Sequence, residues 1–376
     1  MVDLRFKQRL RTRRLKTFSS NYQSLSNVLC GLPAMTEPTL SYVTCPDAAG
    51  EHRMAYWQWG QPDSGHVVVC VHGLTRQGRD FDVLAQALCE QASAQPGGIR
   101  VVCPDVVGRG ESDWLRDPMG YQVPTYVADM LVLLAHLHAE SPMTALDWVG
   151  TSMGGLIGMA VCGQPALNFA TSPQDVGGQF PAGPPQGKLA PSGGSALREA
   201  TSVGAMPPVR RLVLNDVGPS LQWRAIVRIG AYLGEAGHFS TVQDASDAMG
   251  AVSQSFGPHT PEQWLALSRP MVKPVSAAAD SKWRLHYDPA IAVPFRLATQ
   301  ESAQQDEATL WQLYDNIKAE TLVTRGVLSD LLSPETAHAM TERGPHARVV
   351  EFEGIGHAPT LIAKNQLAVV TGFLRG

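Results

Sequence analysis

The chain has 376 residues, of which 44% are apolar and 17% charged. That balance allows a large buried core and excludes global disorder. A formal net charge of −4 gives no reason to expect nucleic acid as a partner. No apolar run approaches the ~20 residues that span a bilayer, so no stable membrane anchor is expected.

The first 34 residues stand apart. Arg5, Lys7, Arg9, Arg11, Arg13, Arg14 and Lys16 give a basic, serine-containing stretch without a long apolar run, which argues against a secretory signal. The composition fits an organelle transit peptide. The simpler account is translation from Met35, with residues 1–34 disordered or not translated. The six cysteines show no C-x-x-C spacing, and Cys70 and Cys103 fall inside apolar strand-like runs. They read as buried free thiols in a reducing, cytoplasmic setting, with no metal site.

Residues 40–45 and 53–59 alternate as an antiparallel pair of strands joined through 47–51. From His66 onward, strands and helices take turns. Strands are predicted at 66–71, 100–104, 144–149, 211–215, 321–325 and 347–352, and helices at 80–93, 124–140 and 156–162. In the helix 124–140, Val127, Met130, Leu131 and Leu134 keep a spacing of three and four. Such alternation is the mark of a mostly parallel sheet covered on both faces.

Two segments break the rhythm. Residues 164–208 are rich in Pro, Gly, Ser and Ala and bury too little to offset their ordering entropy. They read as a flexible insertion on the side away from the chemistry. Residues 217–317 leave a strand at its carboxyl end and therefore start above the site. With Trp223, Tyr232, Phe239, Trp264, Trp283, Tyr287 and Phe295, they read as a helical lid with its own small core. The expected organisation is a leader (1–34), a core (35–216 and 318–376) and the lid (217–317).

The chemistry centres on Gly150-Thr151-Ser152-Met153-Gly154-Gly155, between a predicted strand and a predicted helix. A serine at such a turn is held in a strained conformation, and only glycine fits two residues to either side. In a chain with 35 glycines the pattern is weak alone. Its partners give it weight. The strand 66–71 ends in His72-Gly73-Leu74-Thr75, the strand 321–325 leads to Asp330, and the last strand leads to Gly356-His357-Ala358.

Serine, acid and histidine in that order, each past a strand end, resemble the α/β-hydrolase superfamily from about residue 40 to 376. The resemblance implies an eight-stranded, mostly parallel sheet with helices on both faces. It also implies a cofactor-free serine hydrolase of small to medium carboxylic esters or lactones, monomeric or homodimeric.

A serine hydroxyl needs a base during attack, and His357 fills that role because imidazole titrates near neutral pH. Asp330 would fix its tautomer. The competing acid is Asp216, after the strand 211–215; it is expected mainly to anchor the loop into the lid. The backbone N–H groups of Met153 and Leu74 would hold the oxyanion. His72 is expected to order its loop. Arg76 and Arg79 could bind a substrate carboxylate, and Trp114 could reach the pocket. Serine at the nucleophile position argues against epoxide opening and dehalogenation. Two alternatives remain: hydrolysis of a carbon–carbon bond in a ring-cleavage product, and a non-catalytic ligand-binding role.

Overall fold

Val67 to Val71 are wholly buried, with no polar face between them. Only a strand covered by helices on both sides accommodates such a run. The computed structural model describes residues 37–164, 205–235, 237–278 and 281–375. The basic leader and most of the insertion 164–208 lie outside the described residues.

In chain order, the strands of the main sheet begin with β1 (Thr39–Asp47), β2 (Gly50–Gly60), β3 (His66–Val71), β4 (Arg100–Pro104), β5 (Ala145–Thr151) and β6 (Val209–Asn215). Three short strands follow, β7 (His238–Phe239), β8 (Val272–Pro274) and β9 (Trp283–Leu285). Then come β10 (Glu320–Gly326) and β11 (Arg348–Phe352). Eight of them form one sheet in the order β1-β2-β4-β3-β5-β6-β10-β11. Only the β1–β2 and β2–β4 pairings are antiparallel. The order turns back at β3, with β4 on one side and β5 on the other. Carboxyl strand ends around such a reversal leave a crevice for ligand.

Helices α1 (Asp82–Ala92), α2 (Val123–Glu140) and α3 (Met153–Gly163) follow β3, β4 and β5. Of the predicted face of α2, Val127, Met130 and Leu134 are at most 1% exposed, while Leu131 is only partly buried. Two apolar clusters fill the sheet's two faces, one around Trp148, Met130 and Leu133, the other around Phe81, Leu88 and Phe373.

Between β6 and β10 run α4 (Trp223–Tyr232), α5 (Val242–Val252), α6 (Pro261–Ser268), α7 (Ala292–Arg296) and α8 (Gln300–Asn316). This segment is not purely helical, because β7, β9 and β8 form a three-stranded sheet of its own. Its last helix also departs from the expected lid. A side chain at Gly163 of α3 would strike the backbone of Leu313, so α8 packs tightly on α3. Tyr314 of α8 is fully buried, and its hydroxyl donates to the Met340 carbonyl. The last two helices are α9 (Pro334–Glu342) and α10 (Lys364–Arg375). Among the described residues no helix is long and apolar enough to cross a membrane.

Candidate active site

Strand β5 stops at Thr151 and α3 starts at Met153, leaving Ser152 between them at φ 52° and ψ −116°. A non-glycine residue held there stores on the order of 1–3 kcal/mol. Hydrogen bonds fix it. The Ser152 N–H donates to the Asn215 carbonyl at 3.0 Å, and its own carbonyl accepts from Gly155 and Leu156 at 2.8 and 3.2 Å. A Cβ on Gly150 would overlap the backbone of Gly154, and one on Gly154 would overlap the Val71 carbonyl. Glycine is therefore required on both sides of the serine.

His357 Nε2 lies 2.9 Å from Ser152 Oγ, and its Nδ1 lies 2.8 Å from Asp216 Oδ2. Asp216 is fully buried. Its Oδ1 accepts the Gly326 N–H at 3.0 Å, and its Oδ2 accepts the Ser329 hydroxyl at 2.7 Å. The acid expected on this histidine was Asp330, and the structure corrects that expectation. Asp330 faces outward in a two-point ion pair with Arg228 of α4, at 2.7 and 2.9 Å, with both side chains at least a third exposed. The physical reason lies in two turns. Asp216 takes φ 56°, which folds its carboxylate back over the strand ends. The chain after β10 turns Ser329 toward Asp216, leaving the next residue to point away.

Asn215 is a positioning residue that sequence reasoning missed. Its amide donates to Thr151 Oγ1 and to the Pro359 carbonyl, at 3.0 and 2.8 Å, and its Oδ1 accepts from the Thr324 hydroxyl at 2.8 Å. One buried side chain thus ties the serine strand, β10 and the histidine loop together. Ser255, from the inserted segment, holds the same loop: its hydroxyl donates to the His357 carbonyl, and its carbonyl accepts the Gly356 N–H.

The two expected oxyanion donors belong to the residue after Ser152 and the residue after Gly73. Met153 is the first residue of α3, so its N–H has no acceptor within the helix. Gly73, immediately before Leu74, lies so close that a Cβ built on it would be 3.7 Å from Ser152 Cβ. His72 orders that turn, as expected. Its Nε2 accepts the Val106 N–H at 2.9 Å, which leaves Nδ1 to donate to the Gly73 carbonyl at 2.7 Å. Burial, reinforced by the cations Arg109 and Arg76, pushes its pKa down to about 3 although the Gly73 carbonyl pulls upward. The ring is therefore neutral at working pH.

The expected substrate-binding residues are engaged elsewhere. Arg76 forks onto Asp80 at 2.6 Å and also reaches the Leu267 carbonyl of α6. Arg79 forks onto Asp82 and stacks over Trp57 at 4.8 Å. The spacing Arg76–Asp80 and Arg79–Asp82, four and three residues apart, was the available signal. Trp114 is partly exposed between Lys273 and Arg284, whose cationic ends lie 5.5 and 5.1 Å from its ring centre.

Among the described residues, Cys45, His52 and Asp129 bring metal-type ligand atoms within 4.8 Å of one another. They fit an ion-pair network better than a metal. His52 faces carboxylate oxygens at both ring nitrogens, Asp47 at Nδ1 and Asp129 at Nε2, each at 3.1 Å. Burial lowers its pKa, but those two carboxylates raise it by more. With a carboxylate oxygen facing each ring nitrogen, neither nitrogen is left free for a cation.

The chain is also similar to known proteins. Residues 62–179 match the family model described as serine aminopeptidase, S33. A 3-hydroxybutyrate-oligomer hydrolase from Cupriavidus necator is 44% identical over 339 residues, spanning 90% of this chain and 98% of the relative. An α/β hydrolase from Novosphingobium aromaticivorans has a TM-score of 0.64 at 28% identity, over 91% of this chain and 99% of that one. An esterase from Mycobacterium tuberculosis superposes with a TM-score of 0.60, over 95% of this chain and 97% of its own. At 18% identity, that last likeness concerns the fold alone.

Proposed function

This chain belongs to the α/β-hydrolase superfamily and is a carboxylic ester hydrolase, from which we propose that it cleaves short oligoesters of 3-hydroxybutyrate with Ser152 as nucleophile. Ser152 Oγ adds to the ester carbonyl carbon while its proton passes to His357 Nε2. Asp216 accepts the Nδ1–H and stabilises the imidazolium that forms. The N–H groups of Leu74 and Met153 receive the oxyanion.

Collapse of this intermediate breaks the ester C–O bond, and His357 returns the proton to the departing hydroxyl of a shorter chain. Water then adds to the acyl-enzyme, losing a proton to His357. The second collapse frees the carboxylic acid and reprotonates Ser152. The segment from α4 to α7 serves as the lid. Its Ser255 holds the histidine loop, and its Leu267 carbonyl accepts from Arg76 of the oxyanion turn.

The observation that carries the reading is the His357 imidazole bridging Ser152 and Asp216, in a chain 44% identical to an oligoester hydrolase. The carbon–carbon alternative relied on Arg76 or Arg79 for a substrate carboxylate, and both guanidiniums are held by aspartates. A direct test incubates the parent and Ser152→Ala with the linear trimer of 3-hydroxybutyrate and titrates the acid released. The parent should yield dimer and monomer, and the variant none. Equal release from both would reject Ser152, and an intact trimer beside rapid cleavage of p-nitrophenyl butyrate would reject the substrate.

A further inference from the structure

Arg109 is fully buried, yet among the described residues no carboxylate lies within ion-pair reach of it. A guanidinium is costly to bury, and most are neutralised by an acid. This one is held by neutral groups. Its Nη1 donates to the Val107 carbonyl at 2.7 Å and to the Tyr126 hydroxyl at 3.0 Å. The rings of Tyr126 and Tyr121 lie 4.9 and 5.8 Å from its central carbon. Its remaining contacts go to the two residues assigned above as oxyanion donors: Nε donates to the Leu74 carbonyl at 2.9 Å, and Nη2 reaches Met153 Sδ at 3.6 Å.

We propose that Arg109 is a positioning residue for the oxyanion hole: it fixes the peptide after Leu74 and sets an unneutralised positive charge behind both donors. This rests on the reading of Leu74 and Met153 given above. The peptide before Leu74 is fixed by His72 and by the Arg76 N–H, both donating to the Gly73 carbonyl. Arg109 fixes the peptide after it, so the Leu74 N–H keeps one direction before substrate arrives. Preorganised donors and fixed charge act strongly where water is excluded, because little reorganisation is needed as charge develops. The backbone of Arg109 adds a link to the lid. It forms an antiparallel bridge with Tyr287, while Gly110 donates to the His286 carbonyl and Asp288 donates to that of Gly108. Lid and oxyanion turn are thus registered through one residue.

The test compares the parent with Arg109→Lys and Arg109→Met, each checked for folding by circular dichroism. Turnover of p-nitrophenyl butyrate is followed, together with inhibition by butylboronic acid, which forms a tetrahedral anion on the serine. Binding of a non-reactive ether analogue of the ester supplies the ground-state reference. In Arg109→Met, kcat should fall about 10²-fold, the scale of a lost oxyanion donor, with KM within about threefold. Boronate affinity should fall in parallel while ether binding holds. Arg109→Lys, which keeps the charge, should recover part of both and decides the matter if the methionine variant fails to fold.

Folded variants with kcat within about threefold of the parent would overturn the proposal. So would equal weakening of boronate and ether, which marks a structural loss only. A parent without Ser152-dependent turnover would defeat the reading of the site itself. Parental turnover that is indifferent to Arg109 would defeat this inference alone.

Discussion

His357 Nδ1 and Asp216 Oδ2 lie 2.8 Å apart, although 141 positions separate the two residues in the chain. Asp330 meets Arg228 instead, at a partly exposed surface. Asp216→Asn should therefore lower kcat by about 10⁴-fold, the loss typical when a triad aspartate becomes an amide and the imidazole takes the wrong tautomer. Asp330→Asn should leave kcat within about threefold and stability within roughly 1 kcal/mol, as for exposed ion pairs. Steady-state rates on p-nitrophenyl butyrate decide between them. A damaging Asp330→Asn beside a mild Asp216→Asn would reverse the assignment.

Ser329 donates its hydroxyl to the same oxygen that His357 meets. In Ser329→Ala the rate at neutral pH should fall no more than about tenfold, because Asp216 keeps the Gly326 N–H and its contact with His357 Nδ1. Stability should fall by about 2 kcal/mol, since the hydroxyl also accepts from the Leu331 and Leu332 N–H groups. Steady-state rates and urea unfolding check this, and a rate loss as large as that of Asp216→Asn would show that Ser329 is needed to hold the acid in place.

The near miss over the acid shows what sequence carries and what it does not. Strands such as 66–71 and 100–104 were legible because they are apolar on both faces, and only a doubly covered parallel sheet accepts that pattern. Ser152 was legible because its turn excludes side chains two residues away on either side. Asp216 and Asp330 both follow apolar strands, and nothing local distinguishes them. The choice depends on φ at Asp216 and on which way the chain turns after Gly326, both set by packing between distant segments. The small sheet β7-β9-β8 was invisible for another reason: strands of two or three residues are too short to show alternation. Arg109 was equally hidden, because its partners come from three separate loops and helices.

On the proposed mechanism, Ser152 carries backbone strain that serves catalysis and not folding. Glycine has no penalty at φ 52° and ψ −116°, but it adds freedom to the unfolded chain. With a strain of about 1–3 kcal/mol against roughly 1 kcal/mol for that freedom, Ser152→Gly should be about 1 kcal/mol more stable than Ser152→Ala. Both should lack turnover. Urea unfolding of the two inactive variants checks this, and a glycine variant less stable than the alanine variant would show that the elbow is not strained.

The neutral, buried His72 makes stability depend on acid in a direction that can be worked out. Its folded pKa is about 3, whereas an unfolded histidine titrates near 6.5. Between those values the unfolded chain holds the extra proton, so stability rises with pH across that window and is lost as pH falls through it. From pH 7 to pH 5 this group alone should remove about 2 kcal/mol. His72→Asn can still donate to the Gly73 carbonyl but does not titrate. The variant should therefore be less sensitive to acid by that amount, whatever its stability at pH 7. Urea unfolding at pH 7 and pH 5 for parent and variant gives the difference directly, and equal losses in the two proteins would mean that the His72 ring takes up its proton without unfolding.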